Sequence, residues 1–166
     1  MDNQTTDALD TIVAQWKQEK PHLNTQPMEI LGRMARLAKH LETAITACHK
    51  QYDLKLGEFD VLATLRRAGA PYSLTPSELI DSMMLSSGAM TNRLDKLQTR
   101  ELIIRTHSEE DRRSVTVSLT SQGIKLIDEV MEQHVQVQEK VLEGFSQQQQ
   151  AQINQLFKTW LSNWEE

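Results

Sequence analysis

Hydrophobic positions recur at helical spacing along most of this 166-residue chain. Near the N-terminus one apolar stripe predicts an amphipathic helix over residues 6–19. Its members are Leu9, Ile12, Val13 and Trp16. After a linker at 22–27, a second stripe runs through a helix about seven turns long. Its members are Ile30, Leu31, Met34, Leu37, Leu41, Ile45, Cys48 and Tyr52. A third helix is expected from Gly57 to Ala68.

Residues 75–119 carry the most informative pattern. Thr75 can cap a short helix that has Pro76 at its first position. After a turn, a second helix opens at Ser87, and we call it the reading helix. Its apolar stripe consists of Met90, Leu94 and Leu97. Its opposite face carries the side chains that suit base edges and phosphates, namely Ser87, Thr91, Asn92, Arg93 and Lys96.

Two β-branched runs at 102–105 and 115–119 predict a two-stranded ribbon, the wing, with a charged tip. Arg112 and Arg113 in that tip can meet a phosphate backbone or enter a narrow minor groove. A charged tip taken alone more often indicates a solvated turn. Its position directly after two adjacent helices favours DNA contact and predicts a winged helix-turn-helix.

The C-terminal region predicts an association surface. Thr120 can cap a helix that reaches about Gly144, and Ser146 can cap a last helix. That last helix has a dense stripe formed by Ile153, Leu156, Phe157, Trp160, Leu161 and Trp164. The stripe is too apolar to face water on a small DNA-binding lobe. We therefore expect it to pack against the N- and C-terminal helices of a second copy.

The predicted fold class is mostly α with a small β-wing, a winged helix-turn-helix plus a helical dimerisation region. Residues 1–53 supply N-terminal helices for dimerisation and a pocket, residues 54–119 form the DNA-binding lobe, and residues 120–166 form the dimerisation helices. The three segments are expected to form one compact domain.

Net charge refines this picture because the formal value of −5 has the wrong sign for a nucleic-acid binder. Residues 54–119 carry nine Lys/Arg and nine Asp/Glu, whereas residues 120–166 carry three and seven. The acidic excess therefore lies away from the reading helix. A neutral lobe argues for binding through several well-placed contacts and against strong non-specific binding.

Several classes of protein are not favoured. The one cysteine, Cys48, lies on an inner stripe and reads as a small buried hydrophobe. No run approaches the ~20 apolar residues of a membrane span, and the acidic start does not resemble a signal peptide, so we expect a cytoplasmic protein. No metal site, cofactor site or catalytic group is predicted, because the histidines are scattered and there is no Gly-rich phosphate loop. The histidines are His22, His40, His49, His107 and His134.

Four ordered blocks, GEFDVLATLRRAG, TPSEL, SSGAMTNRLDKL and EEDRRSVTVSLTSQG, together resemble the MarR family of bacterial transcription factors. The resemblance covers roughly residues 28–165. It implies a homodimeric winged-helix repressor that binds double-stranded DNA at a pseudo-palindromic promoter site and is released by a small aromatic or anionic effector. The residues then expected to touch DNA are Ser86, Ser87, Thr91, Asn92, Lys96, Arg112 and Arg113.

The first helix resembles the extra helix of a MarR subgroup that includes urate-responsive regulators. In that subgroup a tryptophan at the position of Trp16 helps to form a ligand pocket, although Trp16 can equally be a hydrophobic anchor. A matching acidic residue, here Asp60, pairs with an arginine, here Arg93. The alternative is that Asp60 is an ordinary surface aspartate. The tentative pocket also includes Arg36, and its effector would be a compound such as urate or a phenolic acid.

Another function remains open at this point. A winged helix can also serve as a protein-interaction module that reads no DNA sequence. Such a module does not need a polar helix face and an Arg-Arg tip on the same side, which favours the DNA-binding interpretation.

Overall fold

The computed structural model describes residues 6–83, 87–107 and 115–165, and for residues 87–89 it describes the backbone only. The described elements follow one another in the order α1 (Ala8–Glu19), α2 (Gln26–Lys50), α3 (Leu56–Arg67), β1 (Ser73–Leu74), α4 (Pro76–Met83), α5 (Ser87–Thr99), β2 (Ile103–His107), β3 (Val115–Leu119), α6 (Ser121–Val141) and α7 (Gln147–Leu161). The mostly helical fold class with a small sheet is confirmed. The chain divides into two compact units, Met1–Ala44 and Ile45–Glu166.

Within the first unit, α1 docks on α2 through one close contact and a cluster of ion pairs. Leu9 lies against Gly32, where any added Cβ would come within 2.6 Å of the Leu9 side chain. The Asp7 carboxylate caps α1 by accepting hydrogen bonds from the N–H groups of Leu9 and Asp10. The Arg33 guanidinium then joins Asp7 at 2.8 Å and Asp10 at 2.6 Å. The position of α1 on α2 is therefore fixed by an apolar contact at Leu9 and by the ion pairs of Arg33.

The second unit holds the main hydrophobic core, which lies between α3, α4, α5, α6 and the sheet. The core side chains that are almost wholly removed from solvent are Val61, Leu62, Leu65, Leu79, Leu97, Leu102, Ile103, Val117, Ile127 and Val130. Each such side chain contributes about 1.5–3 kcal/mol when buried. Cys48 is buried at the edge of this region, as predicted. The core fixes α5 as part of one packed lobe.

The sheet has three strands in the order β1-β3-β2, and both pairings are antiparallel. The wing pairs Ile103 with Leu119 at one end and His107 with Val115 at the other. Strand β1 was not predicted, because a strand of two residues is too short to show any alternation. It is added to the predicted ribbon at the β3 edge.

The C-terminal helices begin at the predicted caps. The Thr120 hydroxyl accepts a hydrogen bond from the N–H of Gly123, and the Ser146 hydroxyl accepts one from the N–H of Gln149. Helix α6 ends at Val141, three residues before the predicted end at Gly144. The glutamine run at 147–150 forms helix surface, as predicted, and no residue of α7 is buried. None of the helices in the described residues is sufficiently long and apolar to cross a membrane.

Candidate nucleic-acid interface

Helix α5, the predicted reading helix, has a buried face and a polar face. Met90, Leu94 and Leu97 are buried in the core, as the stripe predicts. Thr91 and Asn92 lie on the exposed side, one turn after the start of the helix. Residues near the N-terminal end of such a helix are the ones that reach base edges in a major groove. Thr91 and Asn92 thus remain the candidate base-reading residues.

Some of the predicted DNA contacts fall outside the described part of the chain. Ser86, Arg112 and Arg113 lie outside the described residues, and only the backbone of Ser87 is described. Their roles stay predictions from the sequence. The strands that carry the wing tip are described, and they leave the core at His107 and return at Val115.

Lys96 lies at the border between α5 and α3. Its Nζ is 3.9 Å from Oε1 of Glu58, a carboxylate that is buried at the start of α3. The other oxygen of Glu58 accepts a hydrogen bond from the backbone N–H of Lys55 at 2.9 Å. Because Lys96 is half exposed, its ammonium can still reach solvent. A phosphate contact by Lys96 would compete with this ion pair.

Arg93 turns inward, toward the start of α3. A Cβ added at Gly57 would lie 2.3 Å from Nε and 2.5 Å from Cζ of Arg93, so only glycine lets the guanidinium rest there. The Nη1 atom of Arg93 is buried, and no hydrogen-bond acceptor among the described residues reaches it. A buried donor without an acceptor costs about 1–3 kcal/mol. Arg93 is therefore a cation of the reading helix that points toward α3, and its Nη1 has no acceptor in the described part of the chain.

Asp60 lies one turn after Gly57 on α3, on the side that faces Arg93. Burial raises the pKa of Asp60, and the positive charge of Arg93 and the proximity of His134 partly offset that rise. The two side chains form no direct ion pair within the described contacts, and a gap separates them; the charge of Arg93 still lowers the pKa of Asp60. The pairing expected from the resemblance stays a prediction. A group that bridges the gap would meet both charges.

Two histidines that the sequence analysis treated as scattered come together next to Asp60. The rings of His49, Phe59 and His134 stack, with centroids 4.0 Å apart for His49–Phe59 and 4.7 Å apart for Phe59–His134. His49 is fully buried, and burial followed by the charge of His134 lowers its pKa to about 4. Burial also lowers the pKa of His134, against the effect of Asp60.

The hydrogen bonds of the stack fix one proton arrangement. His49 Nε2 and His134 Nδ1 are 3.1 Å apart, and the Gln138 amide nitrogen is 3.0 Å from His134 Nε2. Because the Gln138 amide nitrogen can only donate, Nε2 of His134 accepts and its Nδ1 donates to His49. His49 Nδ1 then carries a buried proton without an acceptor. The 85-residue separation of the two histidines hid the pair in the sequence. The one available signal was the spacing of four residues between Ile45 and His49, which places His49 beside the apolar stripe of α2.

Trp16 and Arg36, the other two tentative pocket residues, belong to the first unit. Trp16 projects from α1 with 40% of its surface exposed, and Arg36 is exposed on α2. The structure thus brings Asp60 and Arg93 together in the second unit. The membership of Trp16 and Arg36 in the same pocket stays a prediction.

A cavity of about 310 Å³ opens between α4, α5 and the wing, beside Thr91. It is lined by Pro76, Ile80, Met90, Thr91, Leu94, Arg105, His107 and Val115. One guanidinium nitrogen of Arg105 bonds to the Asp95 carboxylate, while its buried Nε meets no acceptor in the described part of the chain. The sequence analysis did not anticipate this cavity, because its lining comes from four separate elements.

Comparison with known proteins identifies the family of the chain. The model of the MarR family matches residues 54–115. The chain is 38% identical over 145 residues to the HTH-type transcriptional regulator PecS of Dickeya dadantii (strain 3937), which covers 87% of each protein. It is 30% identical over 122 residues to the HTH-type transcriptional regulator PrsX of Escherichia coli, which covers 74% of this chain and 73% of that one.

Solved structures share the fold. Wild-type MarR from E. coli in its apo form has a TM-score of 0.64 and 25% identity, covering 79% of this chain and 96% of that one. AbsC, a MarR family transcriptional regulator from Streptomyces coelicolor, has a TM-score of 0.75 and 15% identity, covering 85% of this chain and 95% of that one. The buried stripe of the reading helix and the three-stranded sheet of this chain are consistent with these matches. The chain belongs to the MarR family of DNA-binding transcriptional regulators.

Proposed function

We propose that this chain is a homodimeric, ligand-responsive repressor that binds a pseudo-palindromic promoter site and is released by a small aromatic or anionic effector. The observation that carries the proposal is the inward position of Arg93, whose buried Nη1 meets no acceptor in the described residues. An anion bound there would be held by a residue of the reading helix itself. Effector binding and DNA reading would then both depend on the position of helix α5.

The mechanism follows from the gap between Asp60 and Arg93. An effector anion would compete with the Asp60 carboxylate for the charge of Arg93 and pull on the side of α5 that faces α3. The two half-sites of such a DNA site lie roughly 34–36 Å apart, which is one turn of the DNA. A small shift of α5 in each protomer therefore costs base contacts at both half-sites. The effector must favour the DNA-incompetent shape by about 1–3 kcal/mol to change DNA affinity about 5- to 150-fold.

The dimer part of the proposal is supported by the last helix. Helix α7 exposes Leu156 by 70%, together with Phe157 and Leu161, and Trp164 in the turn after the helix is exposed by 80%. Such a surface is typical of a protein–protein interface. The relatives at 38% and 30% identity are transcriptional regulators, so the proposal assigns no catalysis to this chain. A cytoplasmic location stays the expectation for a protein that acts on promoter DNA.

The first experiment is a gel shift with DNA from the upstream region of the protein's own gene, at several salt concentrations and against a scrambled fragment. We expect retention that depends on sequence and weakens with salt by about 0.9 log units per log unit of salt for each phosphate neutralised. Retention of both fragments to the same extent at every salt concentration would contradict the DNA-reading function.

The second experiment titrates urate and a set of phenolic acids into the protein–DNA complex of three variants. Arg93→Met should abolish release, because the anion loses its cation. Asp60→Asn should lower the effector concentration needed for release, because the competing carboxylate is gone. Arg66→Gln is the matched control, since Arg66 is an exposed arginine of α3 that pairs with Asp128 of α6 at 2.6 Å.

The two variants must therefore move the response in opposite directions. Unchanged release in Arg93→Met overturns the Arg93 mechanism. A fourth variant, Arg105→Met, tests the cavity between α4, α5 and the wing: if release is lost in this variant and kept in Arg93→Met, the effector acts from that cavity. A tryptophan-fluorescence response that persists in Trp16→Phe would place the reporting tryptophan elsewhere.

A further inference from the structure

The last turn of the reading helix is tied to the turn that follows α2 by one side chain, Arg100. Its Nη1 donates to the backbone carbonyl of Asp53 at 2.6 Å, and its Nη2 donates to the backbone carbonyl of Tyr52 at 3.1 Å. Both ends of a planar guanidinium are thus used on two consecutive carbonyls. Such a two-point bond fixes direction as well as distance, which a single donor does not.

The acceptors of Arg100 belong to a rigid feature. Asp53 has a backbone φ of 53°, the left-handed region that non-glycine residues seldom adopt. The turn is closed by hydrogen bonds from the N–H groups of Asp53 to Lys50 and of Leu54 to His49, at 3.1 Å each. No other donor among the described residues reaches the two carbonyls that Arg100 binds. Arg100 therefore completes this turn from outside.

The same end of α5 is fixed on its other side by the start of α6. The Thr120 hydroxyl donates to the Glu101 carbonyl at 2.7 Å and accepts from the N–H of Gly123 at 2.9 Å. A Cβ at Gly123 would lie 2.0 Å from the Leu102 carbonyl oxygen, so α6 approaches this corner as closely as a glycine permits. The C-terminal end of α5 is thus clamped between the end of α2 and the start of α6.

At the other end of α5, the side chains of Thr91 and Asn92 make no hydrogen bond among the described contacts. Thr91 and Asn92 are exposed, and the described contacts on that half are the apolar stripe and Arg93. Among the described residues, the side-chain hydrogen bonds that hold the C-terminal end of α5 come from Arg100 and Thr120. A small tilt of α5 that follows the loss of Arg100 would displace Thr91 and Asn92, about 12 Å away at 1.5 Å per residue, more than it displaces the residues beside Arg100.

We propose that Arg100 is a positioning residue for DNA reading, which sets the angle of α5 through the Tyr52 and Asp53 carbonyls without touching DNA. The inference rests on the sequence-specific binding proposed above. In this proposal the turn after α2 sets the orientation of the polar face of α5. Loss of Arg100 should therefore differ in its effect from loss of a residue that contacts a phosphate.

The test compares Arg100→Gln, Arg100→Lys and the control Arg66→Gln, which loses an exposed arginine that joins α3 to α6. We expect operator affinity to fall about tenfold in Arg100→Gln, the effect of one misaligned base contact. Affinity for a scrambled fragment and the slope of log affinity against log salt should stay as in the wild type. Arg100→Lys should recover part of the loss, because an ammonium can reach one carbonyl but not both.

Each other outcome is decisive. A salt slope reduced by about one phosphate means that Arg100 contacts DNA directly and overturns the proposal. Equal losses in Arg100→Gln and Arg66→Gln, tracking their melting temperatures, would mean that Arg100 contributes only stability. Unchanged operator affinity in Arg100→Gln also overturns it. If the wild-type protein does not distinguish operator from scrambled DNA, the proposed function fails. If the wild type does distinguish them and Arg100→Gln binds the operator as tightly as the wild type, only this inference fails.

Discussion

Helices α5 and α7 have similar sequence patterns and different surroundings. They contain 13 and 15 residues, and each carries one apolar stripe. The stripe of α5 is buried in the core of its own chain, whereas the stripe of α7 leaves 70% of Leu156 and 53% of Phe157 exposed. The comparison shows that an amphipathic pattern predicts a helix with one face to cover, and leaves open what covers it.

The physical difference lies in the number of elements that meet each helix. Helix α5 packs against α3, α4 and β2, and it is held further by Arg93 and Arg100. Helix α7 follows a glycine turn at Gly144, where φ is 95°, and none of its residues is buried. We therefore expect the orientation of α5 to be a property of one chain, and the environment of α7 to be a property of the dimer.

The largest effect on stability should come from the buried apolar stripe of α5. Leu97→Ala removes a fully buried side chain, and it should lower the free energy of unfolding by about 2–5 kcal/mol, since the core cannot collapse around the cavity. Denaturant unfolding measures the loss. Gln98→Ala, at the exposed neighbouring position, is the control and should change stability little. Similar losses in both variants would mean that α5 is not packed as described.

The second largest effect should be a loss in the free energy of unfolding as the pH falls. The folded-state pKa of His49 is lowered from 6.5 to about 4, so the unfolded chain binds more protons between those values. Stability is then fully present above pH 6.5 and is lost as the pH falls toward 4, by up to about 3 kcal/mol at 1.4 kcal/mol per unit. Asp60, whose pKa is raised by burial, acts in the opposite sense as the pH falls through its folded-state pKa.

Denaturant midpoints at pH 7.5 and 5.5 test this dependence above the range in which ordinary carboxylates titrate. His134→Gln should reduce the difference, because it removes the second low-pKa histidine of the stack. His40→Gln, an exposed histidine of α2, should leave it unchanged. Equal midpoints at the two pH values would contradict the burial of His49.

The exposed stripe should affect association. Replacing both Leu156 and Phe157 with Gln should weaken the dimer about 30-fold, the effect of losing about 2 kcal/mol at an interface anchor. Sedimentation equilibrium measures the constant. Ile104→Gln, which changes an exposed apolar residue of the wing, should leave association unchanged. A dimer that tolerates the double variant must use another surface.

The smallest effects should come from the caps of the two C-terminal helices. Thr120→Ala should cost about 1–2 kcal/mol, because its hydroxyl both caps α6 and bonds the Glu101 carbonyl, whereas Ser146→Ala should cost about 0.5 kcal/mol. Both are measured by chemical unfolding. The reverse order would mean that α7 is the better anchored helix.

The sequence by itself determined the helices, their caps and the wing. Periodicity and capping are local properties, so Thr120, Ser146 and Pro76 mark helix starts in the sequence as they do in the structure. The same local information gave the buried stripe of α5 and the buried Cys48. It missed β1, because two residues pair only when a distant strand presents its edge.

Tertiary structure alone decided the chemistry around the reading helix. It turned Arg93 onto Gly57, placed Lys96 beside Glu58, and brought His49 next to His134 across 85 residues. It also gave Arg100 its two backbone acceptors. A charged side chain carries no periodic signal that reveals its partner, because the partner is chosen by how separate helices pack and not by any spacing along the chain.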